Sequence, residues 1–172
     1  MRPFFSCSLL VAVTFLVAAF VSAAEPAREI LGLRLSMARE AAHERLKAIG
    51  KFERDERKRQ EIWAVKDNSH FSHVVVGFDA GNTLRFITAV SREDGEAKRL
   101  RYSDVGSIDA AQQAGDPKIN NFHYQWMLPK TGDHPETMVA VRGRDPELLT
   151  TYSLKRLEDE SSSPAKGEDD EK

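Results

Sequence analysis

Cysteine is almost absent from this chain, since Cys7 is the only one among 172 residues. Cys7 lies near the start of the apolar run at the N-terminus, whereas an acylated cysteine follows such a run, so we do not interpret it as a lipid attachment site. The remainder of the chain has no disulfide, no thiolate metal ligand and no thiol nucleophile. A hydrophobic core must therefore stabilise the fold, and residues 25–157 are long enough to form one.

The chain also lacks the short motifs that mark common catalytic sites. It contains no Gly-x-Ser-x-Gly, no His-Glu-x-x-His, no phosphate-binding loop and no dinucleotide fingerprint. His70 and His73 flank a valine-rich run, and in a strand they would point to opposite faces. Paired acids such as Asp55 and Glu56 lie in a charge-dense stretch without an apolar pocket to raise a pKa. We therefore expect no enzyme, no metal site and no cofactor.

Charge of one sign is concentrated only at the C-terminal end. Residues 25–157 contain 22 basic and 20 acidic side chains, a balance that does not favour nucleic acid as a partner. Residues 158–172 contain seven acids, two lysines and no large apolar residue. This composition predicts a disordered acidic tail. We interpret the tail as a solubilising end, and a docking tail for a basic partner is the alternative.

The first 24 residues have the pattern of a secretory signal. Arg2 is their only charge, an apolar run extends over residues 4–20, and Ser22, Ala23 and Ala24 follow it. The small residues favour cleavage after residue 23 or 24, and the alternative is an uncleaved membrane anchor. The pattern predicts an exported protein, periplasmic or secreted, that contacts a membrane only through this segment if it is not removed.

Residues 36–49 give the clearest helix signal. Ser36 is a suitable N-cap, and Gly50 fits the left-handed position just past a helix end. An apolar stripe repeats at three- and four-residue steps, with a polar face opposite to it. The stripe consists of Ala38, Ala41, Ala42, Leu46 and Ile49, and the polar face of Arg39, His43, Glu44 and Lys47. The charged segment 51–61 that follows fits either a solvated helix or an exposed edge strand, and its end favours the strand.

The order of elements recurs with a period of 63 to 65 residues. Each unit has a helix ending at a glycine, a tryptophan and two strand-like runs joined by a turn. The landmarks of the first are Gly50, Trp63 and residues 73–78 and 84–90; those of the second are Gly115, Trp126 and residues 137–141 and 148–154. We predict an α+β domain over residues 25–157, with repeats over about 30–92 and 103–156. Two helix-plus-three-strand units would form a mainly antiparallel, six-stranded sheet with the helices on one face.

Two segments resemble a pattern found in bacterial envelope proteins. Residues 31–50, from Leu31-Gly to Ile49-Gly50, resemble the turn-helix-glycine opening of SmpA/BamE-type outer-membrane assembly proteins and of the β-lactamase inhibitor protein family. Ala111-Gln-Gln-Ala-Gly-Asp-Pro117 is similar to the end of the same helix in those families. The inhibitor family has two such units in tandem. The resemblance implies an envelope domain of this fold. SmpA/BamE-type proteins are usually lipidated at a cysteine and the inhibitor family commonly carries disulfides, whereas this chain has no cysteine after Cys7. The resemblance therefore does not extend to the specific partner of either family.

Aromatic side chains on the predicted strands are the best candidates for binding. Large aromatics on an uncovered sheet face form the anchors of protein interfaces. We select Trp63, Phe122, Tyr124 and Trp126 as anchors, with Arg142 and Arg144 as rim contacts; the alternative is that the aromatics are core and the arginines are solvated.

These observations predict an exported, non-enzymatic protein-binding module. One alternative is an enzyme or small-ligand binder with its site between helix and sheet, which a closed apolar pocket with converging polar groups would favour. The other is a structural envelope component. An exposed aromatic patch on the uncovered sheet face would favour the binding module.

Overall fold

The computed structural model of the chain describes residues 25–56, 59–93 and 99–157, which form ten β-strands and one α-helix. The elements are β1 (Glu29–Ile30), β2 (Leu33–Arg34), α1 (Arg39–Ile49), β3 (Gly50–Asp55), β4 (Gln60–Val65), β5 (Phe71–Phe78), β6 (Leu84–Ser91), β7 (Gln112–Gln113), β8 (Phe122–Leu128), β9 (Thr137–Gly143) and β10 (Thr151–Arg156). The predicted signal and acidic tail lie outside the described residues. Within the described ranges, no helix is long and apolar enough to cross a membrane.

Eight strands form one antiparallel sheet in the order β3-β4-β5-β6-β10-β9-β8-β7, and β1 pairs with β2 as a separate hairpin. The large sheet consists of two four-strand meanders, in which strands adjacent in sequence are adjacent in space. The meanders meet where β6 pairs with β10, and Thr88 lies opposite Ser153 in that pairing. Short hairpin connections explain the antiparallel order, because a parallel pair needs a long crossover.

The predicted α+β class, with two helices on one face of a six-stranded sheet, is wrong. The described part of the chain is mostly β-structure with a single α-helix. The second predicted helix, the one that ends at Gly115, is replaced by one 3-10 turn at Ile108–Ala110, and β7 follows it. The few residues between this turn and the Gly115-Asp-Pro117 sequence cannot offset the cost of helix nucleation. The second half therefore has four strands instead of a helix and three strands.

The charged segment after α1, which by sequence fits either a solvated helix or an exposed edge strand, begins with a strand. β3 is an exposed edge strand beside β4, with a bulge between Phe52 and Arg54. Charged side chains and a bulge are features that keep an edge strand from pairing with other chains. Gly50 has extended backbone with φ of −167°, so the predicted left-handed helix end is wrong. A Cβ at position 50 would collide with the Ala64 carbonyl oxygen, which explains why a glycine is present there.

The start of α1 also differs from the prediction. The N-cap is Ala38, which makes no side-chain cap, and Ser36 lies before it with φ of 64°. Backbone contacts with the β5–β6 hairpin fix this entry: the Ser36 N–H donates to the Leu84 carbonyl at 2.8 Å, and the Arg39 N–H to the Asn82 carbonyl at 2.9 Å. The helix therefore begins where the hairpin positions it.

One hydrophobic core lies under both meanders, on the same face of the sheet. α1 contributes Ala42 and Leu46 over the first meander, together with Ile30 and Leu33 of the β1–β2 hairpin. Residues 102–111 cover the second meander, where Tyr102 and Val105 are buried in the same core. Over the second half, irregular turns cover the sheet in place of a helix.

Candidate functional site

Among the described residues, α1 and residues 102–111 cover one face of the large sheet, and we call the other face the open face. Trp63 and Val74 are register partners on the covered face, under α1, whereas Ile62 and Val75 are partners on the other side. Alternation along every strand extends this division across the sheet. We define the open face by strand register as Lys51, Arg54, Gln60, Ile62, Ala64, His73, Val75, Gly77, Phe86, Thr88, Val90, Gln112, His123, Gln125, Met127, Met138, Ala140, Arg142, Thr151, Ser153 and Lys155.

The middle of the open face carries small, hydroxyl and aliphatic side chains. Thr88 and Ser153 share a hydroxyl–hydroxyl hydrogen bond of 2.9 Å across the junction of the two meanders. Val75 and Val90 are half-buried beside them. Phe86 lies over Gly77, since a Cβ at Gly77 would collide with the Phe86 ring. This region therefore offers apolar contact area without a charge at its centre.

Charge on the open face has one predominant sign. Lys51, Arg54, Arg142 and Lys155 are exposed, and none of the register-defined positions is Asp or Glu. Glu53 adjoins the face at the β3 bulge, with Oε1 3.5 Å from His73 Nε2. One carboxylate against four cations leaves this face basic, although residues 25–157 as a whole are nearly neutral.

His123 accepts a hydrogen bond from one of these cations, Arg142. Its Nε2 lies 2.9 Å from the Gln125 side-chain amide nitrogen and 3.4 Å from Arg142 Nε. Both neighbours are donors, so Nε2 acts as an acceptor in the neutral ring. Burial, and next the charge of Arg142, lower the pKa of His123 below its ordinary value. The neutral imidazole does not repel Arg142, and no carboxylate among the described residues pairs with Arg142 on the open face.

The predicted aromatic anchors all lie on the covered face. Trp63 and Trp126 are buried, and their indole N–H groups donate to Glu61 Oε2 at 3.0 Å and to the Ser107 carbonyl at 2.9 Å. Phe122 and Tyr124 are half-buried, and the Tyr102 ring packs against both of them. These positions correspond to the core alternative that the sequence left open.

The two predicted arginines occupy different places. Arg142 lies on the open face, and Arg144 is exposed just after β9 ends at Gly143. The structure therefore does not assemble the six predicted residues into one surface. Contact of any of them with a partner stays a prediction.

Sequence reasoning missed a polar cluster around Glu61, which is only 2% exposed. Its carboxylate accepts from Arg39 Nη2 at 2.5 Å and from Trp63 Nε1 at 3.0 Å, and it lies 2.9 Å from His43 Nε2. Burial raises the pKa of Glu61, but the bonds from Arg39, Trp63 and His43 outweigh burial and hold it below the ordinary value. Arg39 and His43 belong to the predicted polar face of α1. Their four-residue spacing puts both side chains on the same side of the helix, and this spacing is the sequence signal that could have revealed the cluster.

Among the described residues, the cleft beside α1 is open to solvent and does not enclose a ligand site. This cleft of about 420 Å³ lies where α1 ends, beside the β4–β5 turn. Its charged lining side chains, Arg45, Lys47, Lys66 and Asp67, are all exposed. Small-ligand sites usually place a few polar groups in an apolar enclosure. Among the described residues, no group of three or more metal-binding side chains occurs either.

Comparison with known proteins adds no functional assignment. No family model matches the chain, and searches of curated proteins and of solved structures found no match. The resemblance to envelope domains therefore stays an expectation from the sequence. A functional proposal must rest on the geometry and charge of the described residues.

Proposed function

We propose that this chain is an exported, non-enzymatic protein-binding module whose open face docks on an acidic surface of a protein partner. The observation that carries the proposal is the charge pattern of that face. Exposed cations surround an uncharged aliphatic and hydroxyl centre, and no register-defined position is acidic. Complementary charge selects and orients a partner, while the apolar centre supplies area to desolvate.

The dimensions of the face suit a protein interface. Seven of its strands have six to eight residues. With about 4.8 Å between strands and about 3.3 Å per residue, they span roughly 600 Å² of projected area. Standard protein interfaces bury about 800 Å² of accessible surface on each partner. Side-chain relief makes the accessible surface larger than the projected area, so the face alone is close to sufficient.

An acidic protein fits this face better than a nucleic acid does. Four cations are separated by aliphatic side chains, whereas a nucleic-acid footprint concentrates Lys and Arg to neutralise many phosphates. The near-neutral balance of residues 25–157 supplies no long-range attraction to a polyanion. A local acidic patch is the partner that matches a small number of cations around an apolar centre.

Site-specific photo-crosslinking in the native exporting compartment tests this proposal. Met127, on the open face and 52% exposed, would carry the photoreactive group. A matched probe would replace Glu44, which is exposed on α1. We expect discrete protein adducts from position 127 and none of the same mass from position 44. Combining Arg142→Glu with Lys155→Glu should abolish them, because both cations then become acidic.

The control carries the same change in net charge outside the open face. Lys47→Glu with Lys118→Glu alters two exposed lysines, and the adducts should persist. Circular dichroism of each variant would show that its fold is intact. Adducts that form equally at position 44, or that survive reversal of Arg142 and Lys155, would show that the open face is not the docking surface.

A further inference from the structure

The acidic tail, residues 158–172, begins beside the open face. β10 ends at Arg156, and the Leu157 N–H donates to the Glu136 carbonyl at 3.1 Å, so residue 157 is still held at the end of the sheet. Lys155 of the open face lies two residues earlier, and alternation along the strand puts Leu157 on the same side. β10 is the fifth of the eight strands. The tail therefore starts at the open face, near the middle of the sheet.

The acids of the tail form two clusters. Residues 158–160 are Glu-Asp-Glu, and residues 168–171 are Glu-Asp-Asp-Glu. The seven residues between them, Ser-Ser-Ser-Pro-Ala-Lys-Gly, contain a single charge, at Lys166. The tail thus offers two dense groups of carboxylates that are joined by a spacer of mostly small residues.

The cations of the open face also form two groups. Arg142 and Lys155 lie on the neighbouring strands β9 and β10, and Lys51 and Arg54 lie on the edge strand β3. β3 is four strands from β10, which corresponds to about 19 Å at the usual spacing between strands. The spacer between the acidic clusters extends to at most about 28 Å. One acidic cluster can therefore lie at Lys155 while the other reaches β3.

Other charges near the open face do not reverse its sign. Of its four cations, Arg54 alone has a carboxylate partner among the described residues, with Nη1 3.9 Å from Glu53 Oε2. Glu136 is a further exposed acid where the tail begins. Outside the described ranges, residues 57–58 add two cations after β3, whereas residues 94–98 contain two acids and one lysine. With these segments included, the face as a whole stays basic.

The covalent link between tail and sheet makes weak contacts sufficient. Each exposed ion pair is weak by itself, since water and salt screen it. A link of this length, however, raises the effective concentration of the tail at the face to the order of 1 mM. A contact with a dissociation constant of about 1 mM would then be occupied in about half of the molecules. Charge complementarity of this size is therefore enough to populate an intramolecular contact.

We propose that the acidic tail binds the open face of its own chain, with residues 158–160 at Lys155 and residues 168–171 at Lys51 and Arg54. The spacer between the acidic clusters crosses the uncharged centre of the face. The bound tail carries the same charge as the acidic partner inferred above and competes with it for this surface. The inference rests on the proposed function, since it assigns a competitor to the same docking surface.

Carbodiimide coupling of the purified full chain tests this contact in the absence of any partner protein. The reagent links a carboxylate to a lysine amine that touches it, and peptide mapping identifies the pair. Lys51 lies on the open face, and Lys47, on α1 over the other face, is the matched control; both are exposed. After correction for the acetylation rate of each lysine, Lys51 should couple to residues 168–171 at least about fivefold more than Lys47, the ratio expected for one good exposed ion pair.

Salt and charge separate attraction from chance encounters. In 1 M NaCl, where the screening length is about 3 Å, the excess coupling at Lys51 should disappear. Arg54→Gln should lower the coupling at Lys51 about threefold, whereas Arg45→Gln, on α1, should not. Equal coupling of Lys51 and Lys47 at low salt would overturn the proposal. Coupling found only in a covalent dimer would overturn it as well, because the occupant would then be a second copy of the chain.

Photo-crosslinking from position 127 measures the competition with the partner. The tail is neutralised in the full chain by Glu168→Gln, Asp169→Asn, Asp170→Asn and Glu171→Gln. Releasing a face that is about half occupied should raise the yield of protein adducts about twofold. The control neutralises four exposed acids in the elements over the other face, by Glu29→Gln, Glu40→Gln, Glu44→Gln and Asp109→Asn, and should leave the yield unchanged. An equal yield from the parent and from the neutralised tail would overturn the competition.

The tail contact and the docking proposal fail on different results, because the coupling at Lys51 needs no partner protein. If Lys51 couples to the tail but position 127 gives no adduct with either form of the tail, the docking proposal fails and the tail contact stands. If the adducts form but Lys51 couples no more than Lys47, the tail contact fails and the docking proposal stands.

Discussion

Glu61 joins the only described α-helix to the sheet through side-chain contacts. Arg39 and His43, one turn apart on α1, both reach its carboxylate, and Arg39 also lies 5.0 Å from the centre of the Phe78 ring. Trp63 closes the cluster from β4. Buried charges of this kind are tolerated only when they are fully paired. The cluster therefore fixes how α1 sits on the sheet.

Glu61→Gln should destabilise the fold by about 2 kcal/mol. Removing one partner of a buried pair costs roughly 3–5 kcal/mol, and the side chains of Arg39 and His43 are about one-third exposed here, so water recovers part of the loss. Urea denaturation at pH 7 would measure the change. Glu44→Gln, on the exposed face of α1, should stay within about 0.5 kcal/mol of the parent.

The ion pair of Glu61 with Arg39 also predicts how the free energy of unfolding depends on pH. The pKa of Glu61 is lower in the folded state than its ordinary value of 4.5. Its ionisation therefore stabilises the fold above pH 4.5, and that contribution is lost as the pH falls through the folded pKa. The stability difference between parent and Glu61→Gln should shrink in acid. A difference that is constant from pH 7 to below 4.5 would contradict the role of the carboxylate charge.

At the scale of elements, α1 depends on its neighbours more than on its own sequence. It has 11 residues, begins without a side-chain cap and is aligned by backbone bonds to the β5–β6 hairpin. A helix of this length is marginal in isolation. The first meander thus holds the helix in place, while the second meander, with weaker helix signals, is covered by 3-10 turns.

Ala38→Asp should stabilise the fold by about 1 kcal/mol, because it supplies the missing N-cap acceptor next to the helix dipole. Ala38 is exposed and already has the extended backbone of a cap, with φ of −61° and ψ of 146°. A thermal melt should show a Tm higher by about 3–5 °C for a domain of this size. Ala38→Leu, which offers no acceptor, is the control, and an equal rise in that variant would refute capping as the cause.

For the molecule as a whole, the central β6–β10 pairing decides whether two meanders behave as one unit. It is the one strand pairing between the meanders within the described residues. The N-terminal segment adds a second link, since the Tyr152 hydroxyl donates to the Ala27 carbonyl at 3.1 Å. A continuous core under both halves favours a single cooperative transition. The duplication suggested by the period of 63 to 65 residues stays a prediction, because the arrangement of the two meanders does not test it.

Each meander carries one of the two tryptophans, which gives a direct test of cooperativity. Trp63→Phe leaves Trp126 to report on the second meander, and Trp126→Phe leaves Trp63 to report on the first. In each variant, tryptophan fluorescence and far-ultraviolet circular dichroism should give the same urea midpoint, because the core is shared. Separate midpoints would show that the meanders unfold independently.

The sequence by itself determined the features that local patterns encode. The strand-like runs predicted over residues 73–78 and 84–90 form β5 and β6, and the turn between them contains Asn82 with a φ of 56°. Of the predicted apolar stripe, Ala42 and Leu46 are buried and Ile49 is half-buried, whereas Ala38 and Ala41 are exposed. These signals are local because each depends on the period of one segment or the dihedral preference of one residue.

Only the tertiary structure decided which side of each strand is covered. A period of two divides Trp126 from Met127 but does not say which one faces the core; the structure buries Trp126 and exposes Met127. Likewise, Glu61 meets Arg39, and Ser91 meets Thr150, because distant segments pack together. The open face arises from such long-range contacts, which no local pattern in the chain specifies.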